Sequence, residues 1–178
     1  MGKVIVELSM SLDGFIARKD NSTDEVHAWY TQGDTPVKMP NNELTFTTDP
    51  ASAELVRESF QLGANVTGRR TFDDAEAWGG QDPMGIPSFI VTHAVPEEWS
   101  RADSPFIFVL DGVESAIAQA KVAANGKDIG VAGANIAQQC LKLCLMKSIF
   151  ISYRSCLAKE FACLTISAAH RFSLNAYW

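Results

Sequence analysis

Three short stretches of this chain end an apolar run with small, hydroxylic or cationic residues. The first is Val66-Thr67-Gly68-Arg69-Arg70-Thr71. A glycine lets the backbone approach a ligand closely, and the amides that open a helix carry partial positive charge. Two arginines add full charge in a fork that fits phosphate oxygens. The pattern suits phosphate binding, and it also fits a solvated basic turn. The second is Val91-Thr92-His93-Ala94, where a hydroxyl and an imidazole follow a strand; an ordinary surface turn has the same composition. The third is Gly130-Val131-Ala132-Gly133-Ala134-Asn135-Ile136, small residues opening a helix. It can cradle a pyrophosphate, or simply mark close helix–strand packing, and it is not a complete G-x-G-x-x-G. A fourth stretch, Ser11-Leu12-Asp13-Gly14-Phe15-Ile16-Ala17, interrupts an apolar start with an acid. Asp13 could anchor a flat ring, and Asp13-Gly14 equally fits a tight turn.

Alternating strand and helix signals must position these turns. Lys3–Met10 reads as a strand through Val4, Ile5, Val6 and Leu8. Residues 18–48 are polar and turn-rich, with Trp29, Tyr30 and Phe46, and read as a long loop or lid. Asp49-Pro50 opens a helix that runs to about Leu62 and stops at Gly63. Strands are expected at 64–67, 87–92, 105–110 and 128–131. A short helix should reach Trp78, ended by Gly79-Gly80. Asp111-Gly112-Val113-Glu114 resembles a capping box before a helix ended by Gly126. A last helix is expected over Asn135–Leu145. The pattern implies an α/β fold with a largely parallel sheet and helices on both faces. Ligands on such sheets sit beyond the carboxyl ends of the strands.

Composition narrows the function classes. The 178 residues carry 15 basic and 21 acidic side chains, a net charge of −6, which argues against a general nucleic-acid surface. No apolar run is long enough to cross a bilayer. Glu7 and Asp13 break the apolar start that a secretion signal needs, so a soluble cytoplasmic protein is expected. His27, His93, His170 and four cysteines without a Cys-x-x-Cys motif do not suggest a metal site.

The four pieces, in this order, resemble the dihydrofolate-reductase-like superfamily over about residues 3–141. The closer similarity is to the reductase domain of riboflavin biosynthesis, which is the C-terminal domain of a bifunctional deaminase-reductase, and to its stand-alone bacterial relatives. The resemblance rests on Ser11-Leu12-Asp13-Gly14-Phe15-Ile16-Ala17, Gly68-Arg69-Arg70-Thr71-Phe72 and Gly133-Ala134-Asn135-Ile136. It implies a dihydrofolate-reductase-like, mostly parallel sheet and NADPH as hydride donor. It assigns Gly68, Arg69, Arg70 and Thr71 to the cofactor's phosphate end, with Arg69 at the adenosine 2′-phosphate. Thr92 and His93 would flank the same group; His93 stands where the family often has Arg, which leaves the choice between NADPH and NADH open. Gly133, Ala134, Asn135 and Ile136 would border the pyrophosphate and nicotinamide, and Ala17 the nicotinamide side. Asp13 is the candidate catalytic acid and Trp29 the candidate substrate contact. The riboflavin enzyme reduces a phosphoribosylamino-pyrimidine to its ribityl form, so an NADPH-dependent reductase acting on a small heterocycle is implied. A homodimer is expected with it, and neither nucleic acid nor membrane as partner. The alternatives are a nucleotide-binding protein without turnover and, more remotely, a thiol protein using the cysteines.

The tail departs from this pattern. Residues 1–141 hold 10 basic and 20 acidic side chains, residues 142–178 hold 5 and 1. All four cysteines lie after position 139, and every glycine and proline lies at or before Gly133. A coding string permitted for residues 146–166 reads differently from the third base of its first codon. It then gives Glu-Ile-His-Leu-Tyr-Leu-Val-Pro-Val-Leu-Leu-Gly-Lys-Gly-Ile-Arg-Leu-Phe, the segment with which the family continues. A shift of reading frame between about Leu141 and Leu145 therefore accounts for the tail. Ile149-Phe150-Ile151 can still fill a strand, whereas Ala158-Lys159-Glu160 cannot form the family's Gly-x-Gly loop beside the substrate. The cofactor half should survive better than the substrate half.

Overall fold

The structure is a computed structural model that describes residues 2–11, 15–143 and 148–153, the last stretch by its backbone. Six strands form one sheet: β1 (Val4–Met10), β4 (Ala64–Gly68), β5 (Ser88–Val91), β6 (Phe106–Val109), β7 (Ile129–Ala132) and β8 (Ser148–Tyr153). Their order across the sheet is β6-β5-β4-β7-β1-β8, and every pairing is parallel. The expected strand at Ile149–Ile151 is thus part of β8, paired along β1 from Ile5↔Ser148 to Met10↔Tyr153. The remainder of the atypical tail lies outside the described residues.

Period-two alternation divides the core between the two faces. Val4, Val6, Leu8, Ala64, Val66, Phe89, Val109, Ile129 and Val131 point to one side. There they pack on α4 (Val113–Ala123) through Ala116, Ile117 and Ala120, and on α5 (Ala134–Lys142) through Ile136, Ala137 and Cys140. The intervening residues Ile90 and Phe106 point to the other side, onto Phe72 of α3 (Arg69–Asp74) and the rings of Trp78, Trp99 and Phe108. Phe72 meets Phe106 edge-on at 4.9 Å, and burying such a ring contributes about 2–3 kcal/mol.

Residues 18–48 are more ordered than expected. They contain α1 (Asp24–His27), a 3₁₀ turn over Ala28–Thr31 and an antiparallel hairpin of β2 (Thr35–Lys38) and β3 (Thr45–Thr48). This small layer packs against α2 (Pro50–Ser59) through Trp29, Val37, Met39, Ala53 and Val56. Asp49 caps α2 as expected: its Oδ1 accepts from the Ala51 and Ser52 amides, both at 3.1 Å. Phe60 is the C-cap, so α2 stops before Gly63. The expected capping box at 111–114 does not form. Gly112, at φ +97, is the N-cap of α4, and no side chain bonds there. The helix expected to reach Trp78 ends at Asp74, because Glu76, Ala77 and Trp78 all take positive φ.

Candidate functional site

A parallel sheet delivers all its strand ends to one rim, and the sheet order makes β5, β4 and β7 neighbours there. The three turns singled out in the sequence therefore meet. Arg69 lies along the β5 turn, where its Nη1 donates to the Ala94 carbonyl at 3.4 Å. Its Nε also donates to both carboxylate oxygens of Asp73, at 2.7 and 2.8 Å. The Thr92 hydroxyl is turned inward and donates to the Ala94 carbonyl at 2.9 Å, which pins the loop; His93 is exposed. On the other side, Thr67 Oγ1 donates to the Ala132 carbonyl at 3.3 Å, tying the end of β4 to the end of β7.

Two glycines shape this junction. Gly133, the N-cap of α5, has φ +90 and ψ 134, a region open essentially to glycine alone. A Cβ there would stand 2.9 Å from Thr71 Oγ1. Gly68 has ordinary backbone angles, but a Cβ on it would press on Ile136 Cγ1 at 3.3 Å. Side chains are thus kept out of a narrow channel between the opening turns of α3 and α5. Arg70 stands at its edge, with its Nε 3.6 Å from Asp74.

The channel opens into a cleft of about 680 Å³ over the sheet face opposite α4 and α5. Its floor is Glu7, Ser9, Asn65, Gly130 and Ala132; Leu55, Val56 and Ser59 of α2 wall one side. The aromatic residues of the small layer wall another: Tyr30 stacks on Phe46 at 4.2 Å, and Trp29 packs against Tyr30 at 4.3 Å. Trp29 Nε1 donates to Ser9 Oγ at 3.1 Å, fixing this layer to β1. The loop at 82–84 completes the wall, held by buried Asp82, whose Oδ1 accepts from the Met84 amide at 2.8 Å.

Ala17, Trp29, Gly68, Arg70, Thr71, Gly133, Ala134, Asn135 and Ile136 all line the cleft. Arg69, Thr92 and His93 sit at its outer end rather than in its lining. Asp13, the candidate catalytic acid, lies outside the described residues.

Sequence reasoning missed Glu7. It was noticed only as an interruption of an apolar start. Yet period two sets it with Ile5 and Ser9, opposite the buried Val4, Val6 and Leu8, on a strand internal to the sheet. Its carboxylate is open to the cleft but walled by protein elsewhere. This partial burial, with Glu58 nearby, pushes its pKa up to about 6. Burial also raises the Tyr30 phenol, against a hydrogen bond from Ser9 that lowers it, and holds the His27 imidazole below its ordinary value.

No family model matches the chain, and no curated protein matches it. Solved structures do. One is a Shewanella sp. PV-4 protein whose description assigns it, provisionally, to riboflavin biosynthesis. It is 23% identical, with a TM-score of 0.60, over 87% of this chain and 78% of that one. The likeness establishes the fold, an α/β domain of the dihydrofolate-reductase-like kind.

Proposed function

We propose that this chain is an NADPH-dependent reductase of a small heterocyclic or sugar-amine substrate, with the chemistry of a riboflavin-pathway reductase. The observation that carries the reading is the convergence of three strand-end turns on one rim, around a channel that side chains on Gly68 or Gly133 would obstruct. The structural likeness to a protein ascribed to riboflavin biosynthesis supports it.

The residues present fit such a cofactor. Gly133 opens α5 without a side-chain cap, so the amides of the first turn remain available to an anionic pyrophosphate. Arg69 and His93, at the outer end, would meet the phosphate on the adenosine; Arg69 already has the fork geometry but must be shared with Asp73. Thr92 keeps that loop in place through its own turn. Thr71 and Ile136 border the channel, and Ala17 lies where the cleft meets the loop after β1. When bound, the dinucleotide supplies a hydride. The chain's work is then to hold two flat groups face to face and to exclude water, which Trp29, Tyr30 and Phe46 do from above.

A second reading, nucleotide binding without turnover, is favoured by the absence of glycine from residues 146–166, where the family places a loop beside the substrate. Fluorescence titration with NADPH and NADH tests the shared part, and micromolar NADPH affinity is expected. Steady NADPH oxidation with a pyrimidine or pteridine substrate then separates the reductase from the binder. No detectable binding of either nucleotide overturns both.

A further inference from the structure

The cleft holds one charged group that the cofactor reading does not use. Glu7 projects from β1 onto the floor, and its neighbour Ser9 is already engaged by Trp29. Among the described residues no side chain or amide donates a hydrogen bond to the Glu7 carboxylate, and the charge that faces it most strongly is the like charge of Glu58 on α2. The other titratable groups around the cleft do not balance it. His27 is held toward its neutral form by burial, and the Tyr30 phenol is uncharged. Asp82 is satisfied within its own loop. The one cation in the described lining, Arg70, pairs with Asp74 at the channel edge. An unpartnered carboxylate beside stacked aromatic rings is costly, and a ligand that brings a cation or N–H donors relieves the cost.

We infer that Glu7 is the specificity-determining contact for the substrate of this site, and that the substrate is a flat, unphosphorylated nitrogen heterocycle presenting a cationic or N–H-bearing edge to that carboxylate. The inference rests on the reductase reading only in taking this cleft as the substrate's. It narrows that reading: a phosphoribosyl substrate would bring its dianion toward Glu7 and Glu58, where no described cation receives it.

The test is equilibrium binding, followed by fluorescence, of two planar probes: proflavine, an acridinium cation, and flavin mononucleotide, a phosphate ester. Both are titrated between pH 5 and pH 8 into the wild-type chain, Glu7→Gln and Glu7→Asp. A carboxyl that titrates near 6 is mostly protonated at pH 5 and mostly ionised at pH 7. Wild type should therefore bind proflavine about tenfold more tightly at pH 7 than at pH 5. Glu7→Gln should flatten that profile at its weak end, and Glu7→Asp should keep the slope. Flavin mononucleotide should bind wild type at least about tenfold more weakly than proflavine at pH 7 and gain in Glu7→Gln. A flat wild-type proflavine profile overturns the inference, as does an unchanged Glu7→Gln or tight flavin mononucleotide binding to wild type. If Glu7→Gln does not fold, the wild-type profile and the two-probe comparison still decide. NADPH is titrated in parallel. Lost NADPH binding with the proflavine profile intact refutes the reductase reading alone. Intact NADPH binding with a flat proflavine profile refutes the role of Glu7 alone.

Discussion

Replacing Gly133 by alanine attacks the channel at its narrowest point, in two separable ways. The first is backbone: φ +90 with ψ 134 lies where an L side chain costs about 1–3 kcal/mol. The second is contact: the new Cβ would sit 2.9 Å from Thr71 Oγ1. Threonine in a helix has few χ1 alternatives, so relief by rotation is limited, and crowding of this kind costs about 1 kcal/mol or more. Together the terms predict a loss of about 3 kcal/mol. For a chain of this size that is a fall in Tm of roughly 6–12 °C. Calorimetry or urea titration of Gly133→Ala, Thr71→Ala and the double variant separates the terms. Thr71→Ala removes the oxygen but leaves the backbone strain, so the double variant should recover about 1 kcal/mol relative to additivity. A Gly133→Ala loss under about 0.5 kcal/mol would refute the strained turn. Strict additivity would refute the close approach. The same substitution should weaken NADPH binding, because the methyl group enters the channel.

The remaining expectations are more compact. Arg69→Ala should weaken NADPH binding about tenfold or more while leaving urea stability within about 0.5 kcal/mol, since its ion pair with Asp73 is at the surface. Glu7 holds its proton more tightly folded than unfolded, so its cost is absent below about pH 4.5 and fully present above about pH 6. Glu7→Gln should accordingly raise Tm at pH 7.5 and not at pH 4; a shift of about 1.5 units is worth about 2 kcal/mol, roughly halved by the water in the cleft. Thr48 Oγ1 is buried without a hydrogen-bond partner, so Thr48→Val should be neutral or stabilise by up to about 1 kcal/mol in urea unfolding. Sequencing of the gene across codons 138–150 should reveal a one-base insertion or deletion relative to close relatives; an uninterrupted match there removes the frame-shift explanation.

The sequence made some features legible and hid others, for physical reasons. Strands such as Ser88–Val91 and Ile129–Ala132 are short apolar runs bounded by breakers, and the turns that follow them carry the glycine and arginine needed at a ligand. Local signals suffice for these. The hairpin of Thr35–Lys38 with Thr45–Thr48 was hidden because its strands are polar, only Val37 and Thr48 being buried, and one contains Pro36. Its order comes from packing on Trp29 and α2, which no local pattern encodes. The left-handed run at Glu76–Trp78 was equally hidden: three residues without glycine are held there by burial of Ala77 and by the ring of Trp78 against Phe72. Glu7 could have been found by asking why an acid shares a core strand's alternation.

The position of β7 has a consequence for how this chain is made. It lies between β4 and β1, yet it leaves the ribosome after all the strands on the β4 side are complete. Until residues 129–132 emerge, Val4–Val6 have no hydrogen-bonding neighbour on that side, and β4 through β6 form a separate raft. The amino-terminal strand must therefore wait, apolar and unpaired, for more than a hundred residues of synthesis. Any mishap in translation just beyond β7 strikes as the two halves of the sheet are being stitched together.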